Sequence, residues 1–156
     1  MIEIDVPGGE PLSLEFLAID FSGTLAFDGK LIPGIRDKLT ALSEKLEIHV
    51  LTSDTFGTAS SQLDGLPLNI MTLEGADHTG QKARYVEELG ADRVVAIGNG
   101  MNDIKMLKAA RLGIVVLGGE GGAAAAFVAA DIVARNIGDA LGILLTPLCC
   151  KATLRR

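Results

Sequence analysis

The chain has 156 residues, 48% of them hydrophobic but only 4% aromatic, and 20 acidic against 14 basic side chains give a formal charge of −6. That length suits one aliphatic core, so a single domain over residues 1–156 is expected. The acidic balance argues against a nucleic-acid-binding surface.

The N-terminal Met1-Ile-Glu-Ile-Asp5 lacks the basic region and apolar core of a signal peptide, and glycine or charge interrupts each apolar stretch before it could span a bilayer. A cytoplasmic protein with no membrane partner is the expectation. The two cysteines, Cys149 and Cys150, are adjacent and lack metal-finger spacing, which suggests reduced residues in a C-terminal tail.

Alternation at Ile2, Ile4 and Val6, a turn-rich Pro7-Gly-Gly-Glu-Pro11, and renewed alternation at Leu12, Leu14 and Phe16 predict an N-terminal β-hairpin, its second strand running on to Asp20. Ile35, Leu39, Leu42 and Leu46 recur at helical spacing after Pro33-Gly34. A strand is expected over 47–52, a short helix over 56–64, a strand over 66–73, and a helix over 79–89 with Thr79 as N-cap and Gly90 as stop. Further strands over 93–97, 112–117 and 132–133 alternate with helices over 104–110, 122–130 and 137–145. Strand-helix alternation of this kind predicts an α/β fold, a mainly parallel sheet with helices on both faces.

Chemistry-bearing residues gather where strands end or helices begin. The apolar run Phe16 to Ile19 delivers Asp20, followed by a turn through Ser22, Gly23 and Thr24; Thr52-Ser53-Asp54 closes the next strand, Lys82 lies on the third helix, and Gly98-Asn-Gly-Met-Asn-Asp103 follows a later strand. In an open α/β sheet, ligands bind beyond the carboxyl ends of the strands. An anionic nucleophile, hydroxyls, one cation and several oxygen ligands are the parts that phosphoryl transfer needs, because its catalysis is chiefly positioning and charge neutralisation.

These segments resemble the four motifs of the haloacid dehalogenase superfamily of phosphohydrolases, in order and over most of the chain. The branch most similar in motif is the phosphorylation domain of P-type cation-transporting ATPases and its soluble relatives: Asp20-Phe-Ser-Gly-Thr24 stands for Asp-Lys-Thr-Gly-Thr, Thr52-Ser-Asp54 for Thr-Gly-Asp, and Gly98-Asn-Gly-Met-Asn-Asp103 for Gly-Asp-Gly-x-Asn-Asp. Positions 25–51 are too few for the pump's inserted nucleotide-binding domain, and no cap insertion is expected. The resemblance implies a three-layer, Rossmann-like fold and a magnesium-dependent phosphatase.

By that resemblance Asp20 attacks phosphorus to form an aspartyl-phosphate, with Ser22 at the acid/base position. Thr52 or Ser53 holds a phosphoryl oxygen, Lys82 neutralises charge, and amides around Phe21 to Gly23 cradle the anion, with Asn102 also on the phosphate side. Mg2+ is implied on Asp20, the Ser22 carbonyl, Asn99 and Asp103; Asp103 is either a ligand or a hydrogen-bond partner behind the ligands.

Two departures stand out. Ser22 replaces the usual acid/base Asp, which implies slow hydrolysis, since such a residue typically supplies about 10²–10⁴-fold. Asn99 replaces the first acidic metal ligand and brings no charge, implying weak magnesium binding. A catalytically weak phosphate-binding or regulatory module and a phosphotransferase or phospho-carrier therefore remain as alternatives. An open site implies a phosphorylated substrate, small or macromolecular, or closure by a second copy in a homo-oligomer. His78 is expected in a solvated loop, His49 as a structural strand residue, and Gly118-Gly-Glu-Gly-Gly122 as a turn on the site's rim.

Overall fold

A computed structural model describes residues 1–54 and 56–156. The N-terminal strands β1 (Ile2–Ile4) and β2 (Leu12–Leu14) pair antiparallel, Ile2 opposite Leu14. β3 (Phe16–Asp20) does not continue that hairpin. The chain breaks at Glu15, whose N–H donates to the Arg93 carbonyl and whose carbonyl accepts from Glu47 N–H, so the hairpin forms its own two-stranded sheet and β3 enters the main one.

After β3 come a small hairpin, β4 (Ala26–Phe27) and β5 (Lys30–Leu31), then α1 (Ile35–Ser43), β6 (Glu47–Thr52), α2 (Thr58–Leu63), β7 (Asn69–Thr72) and α3 (His78–Glu88). The second half runs β8 (Val94–Gly98), α4 (Ile104–Ala109), β9 (Leu112–Val116), α5 (Ala124–Ala129), β10 (Ile132–Ala134), α6 (Ile137–Leu145) and α7 (Pro147–Leu154). Neither the β4–β5 hairpin nor α7 was expected from hydrophobic pattern. The turn Asp28-Gly29 carries φ of 50° and 71°, the paired left-handed conformation of a two-residue hairpin turn, and Asp-Gly is its usual signature.

The main sheet is parallel throughout, in the order β10-β9-β8-β3-β6-β7. Its central strands β3, β6, β8 and β9 are buried on both sides because both faces are covered, while the edge strand β7 is largely exposed. Leu17, Ile19, Ile48, Val50, Val95 and Ile97 pack with α1 and α6 on one face, while Ala18, Leu51, Ala96 and Val115 pack with α3, α4 and α5 on the other. The chain builds outward from β3 through β6 to β7, then returns to the other flank of β3 to lay down β8, β9 and β10. That reversal makes the end of β3 a topological switch point, where the crevice of such a sheet opens.

The C-terminus is a docked helix, not a tail. Pro147 occupies the first turn of α7, where its missing N–H costs nothing. Arg156 N–H donates to the Pro7 carbonyl at 3.0 Å, Lys151 pairs with Asp5 at 3.2 Å, and Cys150 is fully buried beside the hairpin residues. Burial first, then the neighbouring Cys149, raises the Cys150 thiol to about 11. Thiolate is the reactive form, so exposed Cys149 should take up a maleimide in the native protein, and Cys150 only after denaturation. Mass spectrometry of native and unfolded labelling reads this directly; rapid native labelling of both would mean α7 is not docked.

Candidate active site

Asp20 is the last residue of β3, with Leu51 opposite it on β6, so the next β6 residue, Thr52, stands one step beyond the carboxylate. On the other flank Ile19 pairs with Ile97, which puts Gly98 level with Asp20 and Asn99 just past it. Asp20, Thr52 and Asn99 thus reach the same end of the sheet because three adjacent parallel strands stop in step.

Lys82 arrives from α3. The helix starts earlier than its pattern implied: Asp77, not Thr79, is the N-cap, its Oδ1 accepting from Gly80 N–H at 2.9 Å. Lys82 is 1% exposed, and its Nζ lies 2.6 Å from Asp20 Oδ1 and 2.7 Å from Asp103 Oδ1. Asp103 is wholly buried, and its other oxygen accepts the N–H groups of Asn99 at 3.0 Å and Gly100 at 2.9 Å. Gly98 is needed for this approach, since a Cβ there would sit 2.4 Å from the Asp103 carboxyl carbon.

Two buried carboxylates therefore face one buried ammonium. Burial, then repulsion from Asp103, raises the Asp20 carboxyl from 3.8 to about 7, although Lys82 and the Thr24 hydroxyl pull it down. Burial works to lower the Lys82 ammonium, yet Asp20 and Asp103 together outweigh it and hold its pKa above the usual value. With all three ionised the cluster carries a net negative charge, which either a proton or a cation can relieve.

Thr24, quoted in the sequence only as part of the turn, proves to be part of the cluster. Its Oγ1 lies 3.0 Å from Asp20 Oδ2 and 3.2 Å from Asn99 Oδ1, and it can donate its single proton to either. Asn99 is oriented by its Nδ2, which donates to the Gly121 carbonyl at 3.0 Å. Ser22 and Ser53 are exposed, and they share with Asp54, Phe56 and Thr58 a cleft of about 280 Å³ beside Phe21. Thr52 Oγ1 accepts from Asp54 N–H at 3.1 Å, while the Asp54 carboxylate caps α2 through Ala59 N–H at 2.7 Å. Those backbone donors, Ala59 first and Phe56 next, hold the Asp54 carboxyl below its ordinary value.

Gly23 and His78 depart from expectation here. Gly23 N–H is engaged by the Ala26 carbonyl at 2.9 Å, so of the turn amides expected to cradle an anion this one closes the loop on itself. Asn102 is exposed and its side chain hydrogen-bonds to none of the described residues, which leaves it free to face an anion, while the Asp103 side chain organises the preceding Asn99–Gly100 turn. His78 begins α3 and is half-buried, not in a loop. His49 Nδ1 meets the Tyr85 hydroxyl at 2.8 Å on the α3 side of the sheet, and its pKa is lowered by burial against the opposing pull of Glu47. A separate cavity of about 390 Å³ lies near the starts of β9 and β10, among Glu10, Arg111, Asp131 and Arg156, away from Asp20.

Among the described residues no group of three or more His, Cys, Asp or Glu is arranged to hold a metal. The donors near Asp20 are instead mixed oxygens: its own carboxylate, the Ser22 carbonyl that follows, and the Asn99 amide. That set suits Mg2+, which takes one or two carboxylates and keeps several waters.

The Asp20 shift has a consequence for stability. Between 3.8 and about 7 the folded chain holds a proton on Asp20 that the unfolded chain has released, so folding is favoured on the acid side and that contribution is lost as pH rises through about 7. Urea unfolding in a chelator should show an Asp20-dependent fall in stability between about pH 4 and pH 7, which Asp20→Asn should remove, leaving the opposing rise from His49, whose pKa is lowered. A native profile that rises over the same interval and is unchanged in the variant would contradict the raised value.

Residues 80–140, from α3 to α6, match the family model described as haloacid dehalogenase-like hydrolase. An uncharacterized protein of Methanocaldococcus jannaschii is 44% identical over 78 residues, which cover 47% of this chain and 84% of that protein. Among solved structures, 3-deoxy-D-manno-octulosonate 8-phosphate phosphatase of Moraxella catarrhalis, in complex with magnesium, phosphate and the sugar acid, superposes with a TM-score of 0.67 at 19% identity, covering 85% of this chain and 86% of its own. The catalytic domain of the CPx-ATPase CopB-B gives a TM-score of 0.61 at 24% identity over 74% of this chain and 46% of that one. At these identities the structural likeness speaks for the fold. Joined to the family match and to the ordered arrival of Asp20, Thr52, Lys82 and Asp103 at one end of the sheet, it makes this chain a member of the haloacid dehalogenase superfamily.

Proposed function

We propose that the chain is a magnesium-dependent phosphohydrolase that works through an aspartyl-phosphate at Asp20. The observation that carries the reading is the buried Lys82 ammonium held between Asp20 and Asp103 at the switch point of the sheet. A lysine is expensive to bury. One pinned beside a carboxylate at an open strand end is a device for anionic chemistry.

Ionised Asp20 attacks the phosphorus of a phosphomonoester, the ester P–O bond breaks, and the departing alcohol oxygen takes a proton from solvent. Water then attacks the phosphorus of the aspartyl-phosphate, the bond to Asp20 breaks, and inorganic phosphate leaves. Lys82 balances the charge that gathers on the phosphoryl oxygens and keeps Asp20 in place. Thr52, buried at the end of β6, and Ser53 beside it offer hydroxyl and amide groups to those oxygens, with the Phe21 and Ser22 amides on the opposite side. Asp103, its oxygens already accepting three protein donors, acts by holding Lys82 and the Asn99–Gly100 turn. Asp20, the Ser22 carbonyl and Asn99 would hold Mg2+, which supplies further neutralisation of phosphoryl charge, commonly worth several kcal/mol.

Ser22 cannot protonate the leaving group as a carboxylic acid would. Turnover is therefore slow and the phosphoenzyme long-lived. The cleft bounded by Ser22, Ser53, Asp54 and Phe56 admits the leaving group of a phosphorylated substrate; a sugar acid occupies this family's fold in the Moraxella structure, which makes phosphorylated sugars sensible first compounds.

The test is Mg2+-dependent phosphate release from a panel of phosphomonoesters, with native protein and Asp20→Asn prepared identically. Release should vanish in the variant, and Ser22→Asp should raise turnover, by up to about 10²–10⁴-fold if the acid/base step limits. Equal, negligible release from both proteins across the panel would favour the phosphate-binding module. Phosphate trapped on Asp20 without hydrolysis would instead favour a phospho-carrier.

A further inference from the structure

The weak point of the magnesium set is Asn99, a neutral amide. A compensating charge stands across the site in the glycine-rich loop after β9. A Cβ built on Gly23 would lie 2.8 Å from Glu120 Oε2, 2.8 Å from Asn99 Nδ2 and 3.1 Å from Asn99 Oδ1. The Glu120 carboxylate and the Asn99 amide thus flank a single point over the Asp20 turn, kept open because residue 23 has no side chain; its φ of 79° favours glycine as well.

The same loop is tied to Asn99 twice. Asn99 Nδ2 donates to the Gly121 carbonyl at 3.0 Å, and the Asn99 carbonyl accepts from Ala123 N–H at 2.8 Å. An aspartate at 99 has no N–H for the first of these bonds. Glu120 itself is exposed and has no ion-pair partner among the described residues, so its charge is not spent elsewhere.

We infer that Asn99 and Glu120 divide between them the work of one acidic ligand: Asn99 fixes the Gly118–Gly122 loop and turns its amide oxygen toward Thr24, and Glu120 supplies the missing negative charge to the cation site. The inference rests on the magnesium reading of the Asp20 site. It assigns Glu120 a role in cation affinity and explains why a loop that lacks the lysine of a phosphate-binding loop carries a carboxylate between four glycines. A hard divalent cation favours all-oxygen ligation, and each added carboxylate charge strengthens it.

The measurement is titration of the protein with Mn2+ alone, following the free-ion electron paramagnetic resonance signal, and then competition with Mg2+. Glu120→Gln should weaken Mn2+ binding by about 10- to 100-fold, the range seen when groups supporting a metal site are removed. Glu120→Asp, which keeps the charge, should lose much less. Asn99→Asp combined with Glu120→Gln should recover most of the native affinity, since the carboxylate is then returned at position 99. Metal-free thermal unfolding should be the same for Glu120→Gln and native protein, because Glu120 is exposed and unpaired. Mn2+ affinity within twofold of native in Glu120→Gln overturns the role of Glu120 while leaving the Asp20 site intact. Failure of the native chain to bind Mn2+ or Mg2+ at all overturns the magnesium reading and this inference with it.

Discussion

The contact on which the site depends is the buried bridge from Lys82 to Asp20 and Asp103. Each of its three charges would be prohibitive alone in this interior; together they are tolerable because Nζ satisfies both carboxylates and the remaining oxygen of Asp103 is met by two backbone N–H groups. The bridge ties α3 to the ends of β3 and β8. Its excess negative charge also matters, because a fully ionised cluster invites a cation from the open side of the sheet. Stability and chemistry are here properties of the same three side chains.

Around that bridge the fold supplies precision through register. Parallel strands β6, β3 and β8 end within a residue of one another, and the reversal of chain direction around β3 opens the crevice at that end. Gly98 lets Asp103 come close enough to grip Lys82, while Gly23 leaves room beside the Asp20 turn for the Asn99 amide and the Glu120 carboxylate. The glycines act by what they omit.

The remainder of the chain shields the aliphatic sheet. α1 and α6 cover one face and α3 to α5 the other, while the separate N-terminal hairpin and α7 brace each other through Arg156 to Pro7 and Lys151 to Asp5. Among the described residues no single helix is long and apolar enough to cross a membrane; α6 and α7 pass by length and composition only as a pair, and they are bent by 100° at Thr146.

Much of this was legible in the chain because its signals are local. Apolar runs closed by Asp20, Thr52 and Gly98 announce parallel strands and their ends, and helical spacing at Ile35, Leu39 and Leu42 announces the α1 face. The break at Glu15 was hidden, since hydrophobic alternation runs through it and only hydrogen bonds to Arg93 and Glu47, distant in sequence, separate the hairpin from β3. α7 was hidden too: its pattern is weakly amphipathic, and its burial depends on β1 being close by. Strand order and periodicity thus determined which residues could reach the crevice. Only the tertiary structure decided that Lys82 would bridge two carboxylates, that Asp103 would face inward and that Glu120 would lie opposite Asn99, because those relations join residues from different elements, and distance in space is not written in spacing along the chain.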